Sequence, residues 1–209
     1  MKSKWSDRES NSYIKKFSKK GVSKELALRI YTTQLLGNDP TVVLHGGGNT
    51  SVKSRIKTLL GENKEVIYVK GSGKDMSNIE EDGFPALEMN NLLNLRKLKK
   101  LDDFQMVNYQ RKYMIDTSFP NASVETLLHA FLPFKFVDHS HSNAILSLID
   151  QPNPVQICKK VFGNELGIVP YIMPGFELAK KASEVFDENP KVKGLILLYH
   201  GIFTFADDA

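Results

Sequence analysis

Short apolar segments alternate with helical segments along this chain, without a strict strand–helix–strand rhythm. Apolar, β-branched runs that end in glycine or polar turns predict strands, whereas apolar residues three or four positions apart predict helices. We predict strands at residues 41–44, 65–70, 135–141, 167–171 and 193–199, and one more after the glycine turn at 46–48. We predict helices at residues 23–36, 84–101, 103–113, 123–132, 142–149, 153–162 and 176–186. This order predicts an α/β fold with helices on both faces of a mixed or largely antiparallel sheet.

The length and the cysteine content limit the number of domains and the cellular compartment that we expect for the protein. The 209 residues suit one domain, or one domain with a fragment of another. No apolar run approaches the roughly 20 residues that span a bilayer, and no apolar segment of a signal peptide follows the charged N-terminus. Cys158 is the single cysteine, so no internal disulfide can form. We therefore expect a cytoplasmic protein without a membrane partner.

The charge of the chain argues against a nucleic-acid partner. The formal net charge is +4, and lysines cluster at residues 15–20 and 97–100. No interleaved aromatic residues and no nucleic-acid motif accompany these clusters, so we interpret them as solvated helix faces. Small anionic substrates are compatible with this charge.

Two histidines stand two positions apart on a predicted strand. Side chains alternate across a strand, so His139 and His141 point to the same face and can share a metal ion. His200, at the end of the strand predicted at 193–199, is a candidate third ligand. Three imidazoles with an open position are typical of catalytic zinc, whereas a structural zinc site normally uses cysteines. Alone, the histidine pair is weak evidence for a metal site, since histidines on the surface, or hydrogen-bonded in the core, are the more common explanation of such a pair.

The helix before the histidine pair carries a carboxylate. Glu125 and His129 are four residues apart and share one helix face, so Glu125 can approach a metal ion held by the histidines. We interpret His129 as a supporting or packing residue in preference to a ligand.

Glycine-rich turns follow two of the predicted strands. Residues 46–51 read Gly-Gly-Gly-Asn-Thr-Ser, and residues 71–73 read Gly-Ser-Gly. Such turns let backbone amides converge on an anion, and Ser123 at a helix start adds a further donor. A tight hairpin is the alternative for either turn alone. Neither turn matches the phosphate-binding P-loop or the dinucleotide-binding pattern.

Together these features indicate metal-assisted carbanion chemistry on a phosphorylated sugar. Zinc can hold the carbonyl and hydroxyl oxygens of a ketose phosphate and stabilise an enediolate while a carbon–carbon bond breaks. A neighbouring carboxylate can move the protons.

Five motifs, in this order, resemble the landmarks of the class II aldolase/adducin family. They are GGGNTSVK, VKGSGKDM, NASVETLLHAFLP, FVDHSHSNAI and LLYHGIFTFADDA. The resemblance spans about residues 25–209, and it is strongest to the aldolase part of bifunctional rhamnulose-1-phosphate aldolase/alcohol dehydrogenase proteins. Val124 departs from the fuculose-phosphate branch, which has a serine there.

The resemblance implies roles for nine residues. It implies zinc ligands at His139, His141 and His200, and a catalytic acid/base at Glu125. It implies phosphate-binding positions at Gly48, Asn49, Ser72, Gly73 and Ser123.

The resemblance also implies an overall organisation and a reaction. The family fold is a three-layer α/β/α sandwich around a mostly antiparallel mixed sheet, commonly assembled as a homotetramer. Residues 1–22 would form an N-terminal extension or helix. Residues 23–209 would form the aldolase domain, cut short at its C-terminus, and we therefore expect poor turnover by this chain. The implied reaction cleaves a ketose 1-phosphate of the rhamnulose or fuculose type into dihydroxyacetone phosphate and an aldehyde.

Three other interpretations fit the sequence. The same scaffold can carry a sugar-phosphate epimerase or dehydratase, which begins with similar chemistry. It can also be a non-catalytic adducin-like module, although the three matching histidines argue against this. Finally, the chain can be the aldolase portion of a bifunctional short-chain dehydrogenase. Cobalt or manganese could replace zinc.

Overall fold

The computed structural model describes residues 3–209 as a sheet covered by helices on both sides. The strands are β1 (Asn49–Lys57), β2 (Asn63–Val69), β3 (Ala86–Glu88), β4 (Phe136–Ser140), β5 (Gly167–Val169), β6 (Gly194–Leu197) and β7 (Gly201–Ala206). The helices are α1 (Asp7–Ser18), α2 (Lys24–Gly37), α3 (Met89–Leu95), α4 (Asp103–Lys112), α5 (Thr126–Phe131), α6 (Asn143–Ile149), α7 (Pro154–Phe162) and α8 (Phe176–Glu188).

The strands form one mixed sheet in the order β3-β2-β1-β4-β7-β6-β5. All neighbouring strands are antiparallel except β5 and β6, which are parallel. The predicted mixed, mostly antiparallel sheet is therefore confirmed. Strands β1 and β4 are adjacent at the centre, and their register pairs Asn49 with His139.

Alternation along the strands sends side chains to separate cores on the two faces of the sheet. On one face, Val137 and Phe203 pack with residues of α3, α4, α5 and α8 in the largest hydrophobic cluster. On the other face, Val52 packs with residues of α1 and α2, and Ile196 packs with residues around α6 and α7. These layers form the expected α/β/α sandwich, in which the period of two residues decides which layer each side chain contacts.

Several helices begin where the sequence indicates. The side chain of Ser23 accepts a hydrogen bond from the amide of Leu26, which caps the first turn of α2. Helix α1 lies within the predicted N-terminal extension and packs on α2, where the rings of Tyr13 and Tyr31 are 5.1 Å apart. Within residues 3–209, no helix is both long enough and apolar enough to cross a membrane.

Three sequence-based predictions of secondary structure were wrong. Residues 41–44 form a turn and not a strand, because the side chain and the amide of Thr41 both bond Asp39. The helix predicted at 84–101 is split into β3 and α3, since Leu87 pairs with Ile67 of β2. Strand pairing at the edge of the sheet therefore decides the structure of this segment, in spite of the helical spacing of its leucines. Strand β7 was not predicted.

Helix α5 is shorter than predicted. It begins at Thr126 and has six residues, and Ser123 lies in the turn that precedes it. The Ser123 hydroxyl accepts a hydrogen bond from the amide of Glu125 at 3.2 Å. The predicted contribution of a helix dipole at Ser123 is therefore not supported, because so short a helix has little dipole to offer.

Candidate active site

All nine residues proposed from the sequence line one cleft of about 170 Å³. The cleft lies where the central strand β1 begins and β4 ends. Four further residues, to which the sequence analysis assigned no role, also line it. Its lining consists of Gly46, Gly48, Asn49, Lys70, Ser72, Gly73, Ser123, Val124, Glu125, His139, His141, Pro174 and His200.

Two of the predicted metal ligands lie at the end of β4. His139 is within the strand and 1% exposed, and His141 follows the last strand residue. Their Nε2 atoms are 3.0 Å apart. Nδ1 of His139 donates to the carbonyl oxygen of Ile202 at 3.1 Å, because a carbonyl oxygen can only accept. This bond leaves Nε2 of His139 unprotonated and directed at His141.

The third histidine comes from the short loop between β6 and β7. His200 follows Tyr199, whose φ of 58° lies in the left-handed region. A Cβ atom on Gly201 would lie 2.5 Å from the carbonyl oxygen of Ser140. Only glycine therefore lets this loop approach β4 closely enough to place His200 beside the pair.

The three histidines have the chemistry of a metal site. One ligand atom from each lies within 4.8 Å of the others. Burial lowers the pKa of His139 to about 3 and that of His200 to about 4, and it also lowers the pKa of His141. The rings are therefore neutral near pH 7, and neutral imidazole is the form that binds metals. This donor set fits a divalent transition metal ion.

Glu125 lies against the histidines from the turn before α5. The carboxylate is 5% exposed. Its Oε2 atom is 3.4 Å from Nε2 of His139, and Oε1 is 3.5 Å from Nε2 of His200. Among the described residues, Oε1 has no hydrogen-bond partner. Burial raises the pKa of Glu125, although the neighbouring His200 and Asn49 oppose this change.

Asn49, the first residue of β1, donates to this carboxylate. Its Nδ2 atom lies 2.7 Å from Oε2 of Glu125 and 3.1 Å from the hydroxyl oxygen of Ser123. Both amide hydrogens are thus engaged inside the protein. The predicted role of Asn49 as a phosphate donor stays a prediction that this arrangement does not favour. The Ser123 hydroxyl accepts two bonds, so its own hydrogen remains available to a ligand.

Two of the three amides in the second glycine turn are already engaged. The amide of Gly71 donates to Gly83, and that of Ser72 donates to Asn121. In the described part of the chain, the amide of Gly73 donates to no backbone carbonyl. The predicted convergence of amides on an anion is therefore reduced to Gly73 and the exposed Ser72 side chain.

Gly48 has a steric role in the first glycine turn. Its φ is 65°, and a Cβ atom there would lie 2.8 Å from the carbonyl oxygen of His139. Any side chain would push the turn away from β4. Gly48 therefore allows Asn49 to enter β1 directly beside the histidines.

Lys70 is a site residue that the sequence analysis missed. It is 3% exposed, and its Nζ donates to the carbonyl oxygen of Gly46 at 3.2 Å. Burial lowers the pKa of Lys70, and the charges of Asp75 and Glu125 oppose this. A lysine directly before a glycine turn at a strand end was the available signal. It places a cation on the side of the cleft that carries Ser72 and Gly73.

His129 lies behind the cleft and does not join the cluster of three histidines. It is 0% exposed, and its Nε2 atom is hydrogen-bonded to Oδ1 of Asn49. Its Nδ1 atom lies 2.8 Å from the hydroxyl oxygen of Ser51. The ring of Phe203 packs between His129 and His139, with centroids 5.1 and 4.4 Å away. The interpretation of His129 as a supporting residue agrees with this placement.

The chain matches the sequence model of the Class II Aldolase and Adducin N-terminal domain over residues 29–209. It therefore belongs to this family. It is similar to the N-terminal class II aldolase domain of a conserved protein from Thermoplasma acidophilum. The two share 38% identity with a TM-score of 0.86, and the match covers 99% of this chain and 90% of that chain.

More distant structures share the fold alone. A sugar-phosphate aldolase from Thermotoga maritima has 13% identity and a TM-score of 0.62, with coverage of 87% of this chain and 85% of that chain. Among named proteins, the chain is 40% identical over 178 residues to the uncharacterized oxidoreductase YuxG of Bacillus subtilis (strain 168). That match covers 85% of this chain but 26% of YuxG, so the chain spans about a quarter of its length. The particular closeness to bifunctional aldolase/dehydrogenase proteins stays a prediction.

Proposed function

We propose that this domain is a metal-dependent aldolase that cleaves a ketose 1-phosphate into dihydroxyacetone phosphate and an aldehyde. The observation that carries the proposal is the carboxylate of Glu125, whose buried Oε1 lies beside three neutral imidazoles and has no hydrogen-bond partner within residues 3–209. A raised carboxyl pKa next to a metal site is an arrangement suited to moving a proton at neutral pH. The same cleft offers polar groups for a phosphate.

His139, His141 and His200 would hold the metal ion, for which we propose zinc. When bound, zinc supplies Lewis acidity that stabilises negative charge on the substrate oxygens as the carbon–carbon bond breaks. The packing of Phe203 against His139, and the bond from His139 to Ile202, hold that ring in place.

Glu125 would move the proton at the reacting carbon. In the cleavage direction, the hydroxyl on the departing carbon loses its proton to water as the aldehyde forms. The carbon that remains with the phosphate must gain a hydrogen, and Oε1 of a protonated Glu125 can donate it. In the condensation direction, the ionised Oε1 removes the same proton. Asn49 holds Oε2, so Oε1 is the oxygen of the carboxylate that we assign to proton transfer.

The phosphate of the substrate would lie beside Lys70, Ser72, Gly73 and Ser123. These groups border the same cleft, and Lys70 provides the positive charge that a phosphate monoester requires. The amide of Ser123 donates to the carbonyl oxygen of Lys70 at 3.2 Å, which fixes the two donor segments side by side. Val124 exposes an apolar side chain at this border.

The test is a screen of ketose 1-phosphates with coupled detection of dihydroxyacetone phosphate, with and without a chelator. We expect an aldehyde and dihydroxyacetone phosphate to form together, and the chelator to stop both. Formation of a product with an inverted hydroxyl group, without release of an aldehyde, would indicate an epimerase and not an aldolase. The absence of any reaction with a metal-loaded domain would contradict it.

We also propose that the domain forms a homo-oligomer through the rim of its cleft. Four residues that lie within three positions of lining residues of the cleft in the sequence, Leu44, Tyr171, Met173 and Tyr199, are between 51% and 69% exposed. Clusters of large exposed apolar side chains are typical of protein interfaces. Sedimentation analysis should show an oligomer that Met173→Glu dissociates, because a charge there would be buried. A parent protein that sediments as a monomer would contradict the proposed homo-oligomer.

The oxidoreductase name of YuxG is not carried over to this chain. The match covers only 26% of that protein, and the glycine turns here lack the dinucleotide-binding pattern. We propose that any dehydrogenase activity of a longer relative lies outside the matched quarter.

A further inference from the structure

Alternate residues of β1 point at α5 and form a buried polar chain behind the candidate site. Asn49 contacts Glu125, and Ser51, two residues along the same strand face, contacts His129. His129 closes the chain through its hydrogen bond to Asn49. Ser51 and His129 are both 0% exposed, so water does not substitute for these bonds. The chain runs from Glu125 through Asn49 and His129 to Ser51.

The direction of each hydrogen bond in this chain follows from the carboxylate. An ionised Glu125 can only accept, so the amide nitrogen of Asn49 must face it. The amide oxygen of Asn49 then faces Nε2 of His129, which must carry a proton to donate. Burial lowers the pKa of His129 well below its usual value, so the ring holds one proton. Nδ1 is therefore an acceptor, and the hydroxyl of Ser51 donates to it.

The reversed arrangement is unfavourable at both ends. A rotated Asn49 amide would present its oxygen to the carboxylate of Glu125, which is a repulsive contact between two acceptors. The proton of His129 would move to Nδ1, and the hydroxyl hydrogen of Ser51 would then lose its acceptor. Buried polar groups without partners cost free energy, so one direction is selected along the whole chain.

We propose that His129 is a positioning residue, which holds the amide of Asn49 in the orientation that donates to Oε2 of Glu125, with Ser51 donating to Nδ1 of His129. The proposal rests on the proposed function, because the positioning by His129 would keep Oε1 of Glu125 as the oxygen that exchanges protons in the cleft. His129 itself is neither one of the three clustered histidines nor a lining residue of the cleft, and its side chain reaches the cleft only through its hydrogen bond to Asn49.

The first test determines the direction of the hydrogen bonds along this polar chain without measuring turnover. In the 15N-labelled, zinc-loaded protein, long-range proton–nitrogen spectra report which ring nitrogen of His129 carries the proton. We expect the proton on Nε2, and we expect Ser51→Ala to leave it there, because Oδ1 of Asn49 still accepts from Nε2. A wild-type ring protonated on Nδ1 would overturn the proposal, whether or not the protein is an aldolase.

The second test separates positioning from packing. His129→Phe keeps a ring against Phe203 but cannot donate, and we expect kcat to fall about 10- to 100-fold with little change in KM. His129→Gln, which offers a side-chain amide donor, should recover part of kcat. Equal kcat for the Phe and Gln variants would overturn the proposal.

A matched control removes a buried hydroxyl on the opposite face of β1. Thr33 is 0% exposed, and its hydroxyl lies 2.6 Å from that of Thr50. Thr33→Val should lower the melting temperature without changing kcat or the tautomer of His129. If wild-type protein with the expected tautomer cleaves no ketose phosphate, the proposed function fails while the orientation of the chain stands.

Discussion

The amide nitrogen of Asn49 lies 2.7 Å from Oε2 of Glu125, although the two residues are 76 positions apart in the sequence. Asn49 opens the central strand β1, and Glu125 lies in the turn before α5. The bond makes the two oxygens of one carboxylate unequal, because Oε1 has no partner in the described part of the chain. A carboxylate with one held oxygen and one free oxygen has a defined point for proton transfer.

Replacing Glu125 with Gln should slow the reaction strongly and leave the three histidines in place. The amide cannot exchange a proton at neutral pH, and general acid–base catalysis contributes about 10²- to 10⁴-fold. We expect kcat to fall by about that factor, measured by release of dihydroxyacetone phosphate. Glu65→Gln is the matched control, because Glu65 pairs with Arg55 on the exposed part of the sheet. Unchanged turnover by Glu125→Gln would remove this residue from the mechanism.

Part of the histidine cluster could be predicted from the sequence because strand geometry is local. Side chains two positions apart on a strand share a face, so the pairing of His139 with His141 followed from the period alone. His200 was harder, since it comes from a hairpin whose second strand was not predicted. The close approach of Gly201 to Ser140 brings that hairpin to the site, and such a contact has no local signature in the sequence.

The predicted phosphate site was less complete for a related reason. Glycine turns indicate where amides can converge, but they do not reveal which amides are already engaged. Gly71 and Ser72 donate to carbonyl oxygens of distant segments, and Asn49 is engaged by Glu125. Lys70 was missed because its burial depends on segments far apart in the chain. Long-range contacts, which single-sequence patterns do not encode, decide these roles.

Metal binding should stabilise the folded domain through the three histidines. A metal at about 100 times its Kd adds about 2.7 kcal/mol to the free energy of unfolding, which raises Tm by about 5–10 °C for a domain of this size. We expect zinc to produce this shift and a chelator to reverse it. His141→Ala should lose most of the shift, whereas His45→Ala, which removes a histidine outside the cluster, should retain it. A zinc-induced shift that survives in His141→Ala would contradict the assignment.

The stability of the metal-free domain should fall as the pH drops from about 6.5 to about 4. Burial lowers the pKa of His139 to about 3 and that of His200 to about 4, from 6.5. In this window the unfolded chain binds more protons than the folded one, so stability rises with pH. Each such histidine contributes a slope of up to about 1.4 kcal/mol per pH unit. Urea denaturation in chelator should show this slope, and His139→Gln should reduce it; an equal slope in both proteins would contradict the prediction.

Removing the charge of Lys70 should weaken the binding of phosphorylated substrate more than it slows the chemistry. A hydrogen bond to a charged group contributes about 1.5–3 kcal/mol, so Lys70→Met should raise KM about 10- to 100-fold. The change in kcat should be smaller, because Lys70 is placed to contact the phosphate and not the reacting carbon. Lys74→Met is the matched control, since Lys74 follows the same glycine turn but pairs with Asp82 on the surface at 3.1 Å. Steady-state kinetics with a ketose 1-phosphate measure both constants, and equal KM values for the two variants would show that the phosphate does not bind at Lys70.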